Sequence, residues 1–156
     1  MNIGEKVKNF KLTGIDKDHH EKEFSLSKFK GKNVVLYFYP KDETPGCTQE
    51  AIDFKNKLNS IADKAVVIGV SPDDIRSHKS FQKNHSLNFN LLSDPHHSVA
   101  EKFGVWKEKS MYGNDYMGIN RSTFLIGKDG VLKKKWDNVK VKGHVDDVLE
   151  TLEELT

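Results

Sequence analysis

The chain holds a single cysteine, Cys47, among 156 residues. It cannot form an intrachain disulfide, so the fold must rest on an apolar core, and the expected setting is a reducing compartment, by default the cytoplasm. Arginine is nearly as scarce: of 25 basic residues only Arg76 and Arg121 are arginine. No stretch approaches the roughly 20 consecutive apolar residues that a membrane-spanning helix needs. The first ten residues alternate charge with single apolar residues, so a secretory signal is not expected. The formal charge of +2 is too small to point to nucleic acid or an anionic membrane as a partner. There is no internal repeat, no low-complexity tract and no linker rich in Gly, Pro or Ser, which implies one domain over residues 1–156.

What is present reads as a soluble globular protein, with 36% hydrophobic and 31% charged residues. Residues 10–13 and 23–26 flank a polar turn and predict an N-terminal β-hairpin. Residues 34–39 form a continuous β-branched and aromatic run, the pattern of a strand buried on both faces. Pro40 ends it, because proline cannot donate to a strand ladder. A polar loop follows, and Ala51, Phe54, Leu58 and Ile61 then recur at helical spacing, so a helix begins near Cys47. Residues 65–70 are a second central strand. Ser71 as cap and Pro72 at the first helical position predict a helix to about His85. Leu91 and Leu92 mark a short strand. Asp94 and Pro95 open a helix by the same cap-then-proline logic, ending near Phe103. Residues 104–120 are expected to be a loop. Residues 122–126 and 131–136 are strands joined by a tight turn, and Val145, Val148, Leu149, Leu152 and Leu155 define a last amphipathic helix. This order implies an α/β protein with a mixed central β-sheet and helices on both faces.

Cys47 stands where a buried strand has ended and a helix is starting. The unpaired N–H groups and positive dipole end of a helix favour a thiolate there. A lone cysteine can equally be a small buried hydrophobe. Thr44, Pro45 and Gly46 before it are not core-packing residues, however, and they predict an exposed loop–helix junction.

The segment from Tyr37 to Thr48 resembles the peroxiredoxin active-site signature Pro-x-x-x-Thr-x-x-Cys, here Pro40, Thr44 and Cys47. The form Thr-Pro-Gly-Cys-Thr followed by Glu50 and Ala51 is similar to the bacterioferritin comigratory protein (BCP, PrxQ) subgroup. A second stretch, from Gly118 through Arg121 to Ile126, resembles the family's other motif. The resemblance extends from Gly4-Glu5-Lys6-Val7 through Phe103-Gly104-Val105-Trp106 to the last helix. It implies a thioredoxin-like fold and a thiol peroxidase that reduces hydrogen peroxide and organic hydroperoxides.

In that resemblance Cys47 is the nucleophile, since a neutral thiol attacks peroxide poorly. Arg121 would supply a fixed charge beside the sulfur; its alternative is a surface arginine at a strand start. Thr44 would bond both the sulfur and the peroxide, or would simply be a turn residue. Pro40 would shield the sulfur, and the N–H groups of Gly46 and Cys47 would complete the cradle. Glu50 could orient Arg121, or be a solvated first-turn glutamate. The reaction leaves a sulfenic acid on Cys47 and needs no metal or organic cofactor. Several BCP relatives carry a resolving cysteine five residues on; here Ile52 occupies that position, and no later helix carries one either. A one-cysteine mechanism is therefore expected, recycled by thioredoxin, as the family favours, or by glutaredoxin and glutathione. A monomer or weak homodimer is the expected assembly.

Other signals are weaker. His19-His20 and His96-His97 lack the further ligands a zinc site needs. The lysines at 133–135, 140 and 142 read as the solvated face of the closing hairpin rather than a nucleic-acid patch. Two rival functions remain. A thiol–disulfide oxidoreductase would need a second cysteine three residues after Cys47, where Glu50 stands. A non-catalytic binding module would leave Cys47 inert, which thiol labelling against pH would reveal.

Overall fold

The computed structural model of the chain describes residues 1–155. In chain order it holds β1 (Lys11–Ile15), β2 (Glu21–Ser25), a 3-10 turn (Leu26–Phe29), β3 (Asn33–Phe38), α1 (Pro45–Ile61), β4 (Ala65–Ser71), α2 (Ile75–His85) and β5 (Asn90–Ser93). Then follow α3 (Ser98–Lys102), β6 (Trp106–Met111), β7 (Asn114–Ile119), β8 (Ser122–Ile126), β9 (Leu132–Trp136) and α4 (His144–Leu155). The main sheet is ordered β2-β1-β5-β4-β3-β8-β9. β3, β4 and β5 run parallel, as strand–helix–strand units require. β8 and β9 add an antiparallel edge on one side, and the β1–β2 hairpin joins the other through β1 and β5.

β3 is buried at every position, which explains its unbroken apolar run. Its alternate residues feed two separate cores. Val34, Leu36 and Phe38 pack with Phe103, Phe124 and the Val99 and Ala100 side chains of α3. Val35, Tyr37 and Tyr39 pack with Phe54 of α1, Phe81 of α2 and Val148 and Leu152 of α4. Helices therefore cover both faces, three on one and the short α3 on the other.

Three local expectations are corrected. Residues 104–120 are not a loop: β6 and β7 pair antiparallel from Trp106↔Ile119 to Met111↔Asn114 as a separate ribbon. Its turn residues Tyr112 and Gly113 both take positive φ, 53° and 79°, the geometry of a tight hairpin. α2 begins at Ile75, because Ser71 is still paired with Ser93 in the sheet; the cap is Asp74, whose side chain accepts from the Ser77 N–H. α3 likewise starts at Ser98, after Pro95, although Asp94 still accepts hydrogen bonds from the N–H groups of Val99 and Ala100. Among the described residues, no helix is long and apolar enough to cross a membrane.

Candidate active site

The site forms where the central strand gives way to α1. The Tyr39 N–H still bonds the Val70 carbonyl, one step beyond β3, and the half-buried Pro40 ends the pairing. Thr44 is the N-cap of α1, Pro45 occupies the first turn, and the first intrahelical bond runs from Thr48 N–H to the Thr44 carbonyl. The N–H groups of Gly46 and Cys47 thus have no partner within the helix.

Cys47 is 1% exposed, which corrects the expected exposed junction. Its place one and two turns before Ala51 and Phe54 puts its side chain on the inner face of α1, against Tyr37 and Tyr39. The sulfur is nonetheless reached by a cation. Arg121 lies between β7 and β8, where its carbonyl accepts from Val139 and the preceding Asn120 N–H bonds Val105. Its Nη2 donates to Cys47 Sγ at 3.3 Å and its Nη1 to Glu50 Oε1 at 2.8 Å. One planar guanidinium spans both groups, which a single ammonium could not do. Gly46 lies beneath it: a Cβ there would come within 3.2 Å of Arg121 Nη2.

Glu50 is fully buried, so it is not a solvated first-turn residue. Oε1 faces Arg121, while Oε2 finds no hydrogen-bond partner. Burial outweighs the arginine and pushes the Glu50 carboxyl up to about 7. Burial opposes the Arg121 charge, but Glu50 and Cys47 more than offset it and raise its pKa. The Thr44 hydroxyl donates to the Lys41 carbonyl at 2.8 Å, closing the loop, and makes no hydrogen bond to the sulfur.

Four neighbours escaped the sequence. Tyr37 is buried with its hydroxyl unpartnered; burial, then the charges of Glu50 and Cys47, raise its pKa well above 10. Lys109 is half-buried in the otherwise exposed middle of β6, and burial followed by the Arg121 charge lowers its pKa. Its stem lies over Gly118, whose bare Cα leaves the room. Only the strand register reveals that placement. Asp42 and His78 meet below the loop, within 4.8 Å of Asp73. Their sequence separation hid the contact. The histidine pairs go elsewhere: His19 meets Gln82, and His97 stacks on Trp106.

A parallel-centred sheet presenting a buried thiol at a helix start, bridged by arginine to glutamate, defines a thiol-chemistry enzyme of the thioredoxin-like class. Residues 3–135 match the AhpC/TSA family model. The chain is 52% identical over 157 residues to peroxiredoxin Bcp of Bacillus subtilis, covering 100% of this chain and 98% of that one. Peroxiredoxin Bcp of Escherichia coli is 41% identical, with 88% of each chain covered. Among solved structures, a variant of Xylella fastidiosa PrxQ superposes with a TM-score of 0.90 at 39% identity, covering 99% of this chain and 96% of that one. The bacterioferritin comigratory protein of Xanthomonas campestris, studied for alkyl peroxide reduction, gives a TM-score of 0.84 at 39% identity, with 92% and 90% covered. The chain belongs to the AhpC/TSA family, within its Bcp/PrxQ peroxiredoxins.

Proposed function

We propose that the protein, acting as one domain over residues 1–156, is a one-cysteine hydroperoxide reductase that protects the cytoplasm from peroxides. The observation that carries this reading is the Arg121 guanidinium shared between Cys47 Sγ and Glu50. The Cys47 thiolate attacks one peroxide oxygen, the O–O bond breaks, and the departing oxygen takes a proton to leave as water or an alcohol. Cys47 is left as a sulfenic acid. Arg121 stabilises the thiolate and the charge developing on the leaving oxygen. Gly46 and Cys47 supply N–H donors toward the peroxide. Thr44, whose hydroxyl donates its hydrogen bond to the Lys41 carbonyl, keeps lone pairs to accept from the peroxide O–H. Pro40 covers the sulfur, and Glu50 fixes the arginine. The substrates are hydrogen peroxide and organic hydroperoxides.

With no second thiol in the chain, one external thiol attacks the sulfenic acid, expelling water and forming a mixed disulfide; a second releases Cys47. Thioredoxin is the favoured donor, with glutaredoxin and glutathione as the alternative, and the working unit is a monomer or weak homodimer. Peroxide consumption measured in parallel with thioredoxin, glutaredoxin plus glutathione, and a small thiol tests the reading. Turnover that saturates with thioredoxin supports it. An absence of turnover with all three refutes it.

A further inference from the structure

Between Pro40 and α1 the chain is tied to α2 rather than to the sheet. The Asp42 side chain is 1% exposed and fully engaged: Tyr39 Oη donates to Oδ1 at 2.6 Å, Ser77 Oγ donates to Oδ2 at 2.8 Å, and His78 Nδ1 lies 2.7 Å from Oδ2. The Asp42 N–H in turn donates to Asp73 Oδ2 at 2.8 Å. A residue further on, Glu43 takes the left-handed conformation, φ 64°. Its carboxylate accepts from Asn84 Nδ2 and meets His85 Nε2. Ser77 and His78 stand two helical turns from Asn84 and His85, so one face of α2 holds both ties.

His78 is completely buried, and its second nitrogen, Nε2, lies 2.8 Å from the Leu92 carbonyl. A neutral imidazole has one N–H. Here both nitrogens face acceptors, a peptide carbonyl and a carboxylate that already accepts two hydroxyls. With the Nε2 N–H directed at Leu92, one proton is shared between Nδ1 and Oδ2, so the His78–Asp42 contact is a buried hydrogen bond with no solvent to replace it.

We propose that His78 is a positioning residue for the reactive cysteine: by holding Asp42 it fixes the segment that carries Thr44 and starts α1, and so keeps Cys47 Sγ buried against Arg121. This rests on the peroxidase reading above. Two steps of the cycle then respond in opposite directions. A small peroxide reaches the buried sulfur and reacts fastest when the segment is held. A protein reductant must reach the same sulfur, 1% exposed, and does so only when the segment lifts from α2.

The test compares wild type with His78→Gln and the shape-conserving Asp42→Asn, each checked for folding by circular dichroism. Rapid mixing measures the peroxide step and the reduction of the sulfenic form by thioredoxin separately. Both variants should lose roughly tenfold to hundredfold in the peroxide step, while reduction by thioredoxin quickens, as does alkylation of reduced Cys47 by iodoacetamide at a pH high enough to ionise a free thiol, where access alone sets the rate. Variants that fold and leave both rates unchanged, or slow both together, would overturn the proposal. Should wild type turn over no peroxide, the peroxidase reading fails; the alkylation arm still decides the positioning of the sulfur, and Asp42→Asn carries it if His78→Gln does not fold.

Discussion

Arg121→Lys keeps the charge and removes the bridge. The guanidinium now reaches Sγ through Nη2 at 3.3 Å and Glu50 through Nη1 at 2.8 Å. A lysine nitrogen must choose, and Glu50, buried with Oε2 already unpartnered, is the stronger claim because an unpaired buried carboxylate is costly. Moving a unit positive charge from 3.3 Å to about 6 Å from the sulfur forfeits about 2 kcal/mol at an effective dielectric of about 20. If the transition state feels that loss in full, the second-order rate with peroxide falls about 30-fold. Stopped-flow measurement under single-turnover conditions isolates the step from recycling. Alkylation of Cys47 at neutral pH should slow in the same variant. A rate indistinguishable from wild type would reduce Arg121 to a strand-start residue and refute the reasoning.

Cys47→Ser should abolish peroxide reduction while circular dichroism stays native, because no other sulfur besides methionine is present; residual turnover by the pure variant would contradict this. Glu50 and His144 give opposite pH dependences. With the Glu50 carboxyl at about 7 against an ordinary 4.5, the folded state holds a proton that the unfolded chain releases, so this group adds stability as pH falls from 7 toward 4.5. Burial lowers His144 from 6.5 to about 4, so the unfolded chain gains its proton first and stability is lost as pH falls from 6.5 toward 4. The two slopes offset in wild type between pH 6.5 and 4.5. In Glu50→Gln, urea melts should show stability falling with acid relative to wild type by about 1.4 kcal/mol per pH unit at most; parallel profiles would contradict it. Gly69→Ala would place a Cβ 2.9 Å from Tyr37 Cζ and 3.0 Å from Leu91 Cδ2. Overpacking there should cost about 1–3 kcal/mol, seen as a lowered melting temperature, and an unchanged melt would show that the Tyr37 ring yields freely.

The central strands were legible because burial on both faces leaves an apolar run, as in β3, and the hairpins at either end because turn residues interrupt alternation. The β6–β7 ribbon was missed for the opposite reason. It pairs only with itself and is mostly exposed, so its residues carry no period-two apolar pattern, and Tyr112-Gly113 is a weak turn signal. The starts of α2 and α3 slipped by three or four residues because a proline that can begin a helix can also sit in the turn before one. In the site, the residues picked out by motif spacing, Cys47, Arg121, Glu50 and Gly46, lie together in the structure. Motifs record neither burial nor side-chain direction, so the buried sulfur and the Thr44 hydroxyl turned to Lys41 emerged only in three dimensions. Asp42 and His78, 36 positions apart in contact, needed the fold itself.

The one-cysteine cycle is tested most directly by intact-mass analysis of the reduced protein during stepwise peroxide addition without any thiol. The account predicts a monomer that gains one oxygen at Cys47, reversed by added thiol, and then a second oxygen that thiol cannot remove. A thiol-reducible dimer with no added oxygen, persisting in excess peroxide, would contradict it, because the chain would then be resolving Cys47 between its own copies.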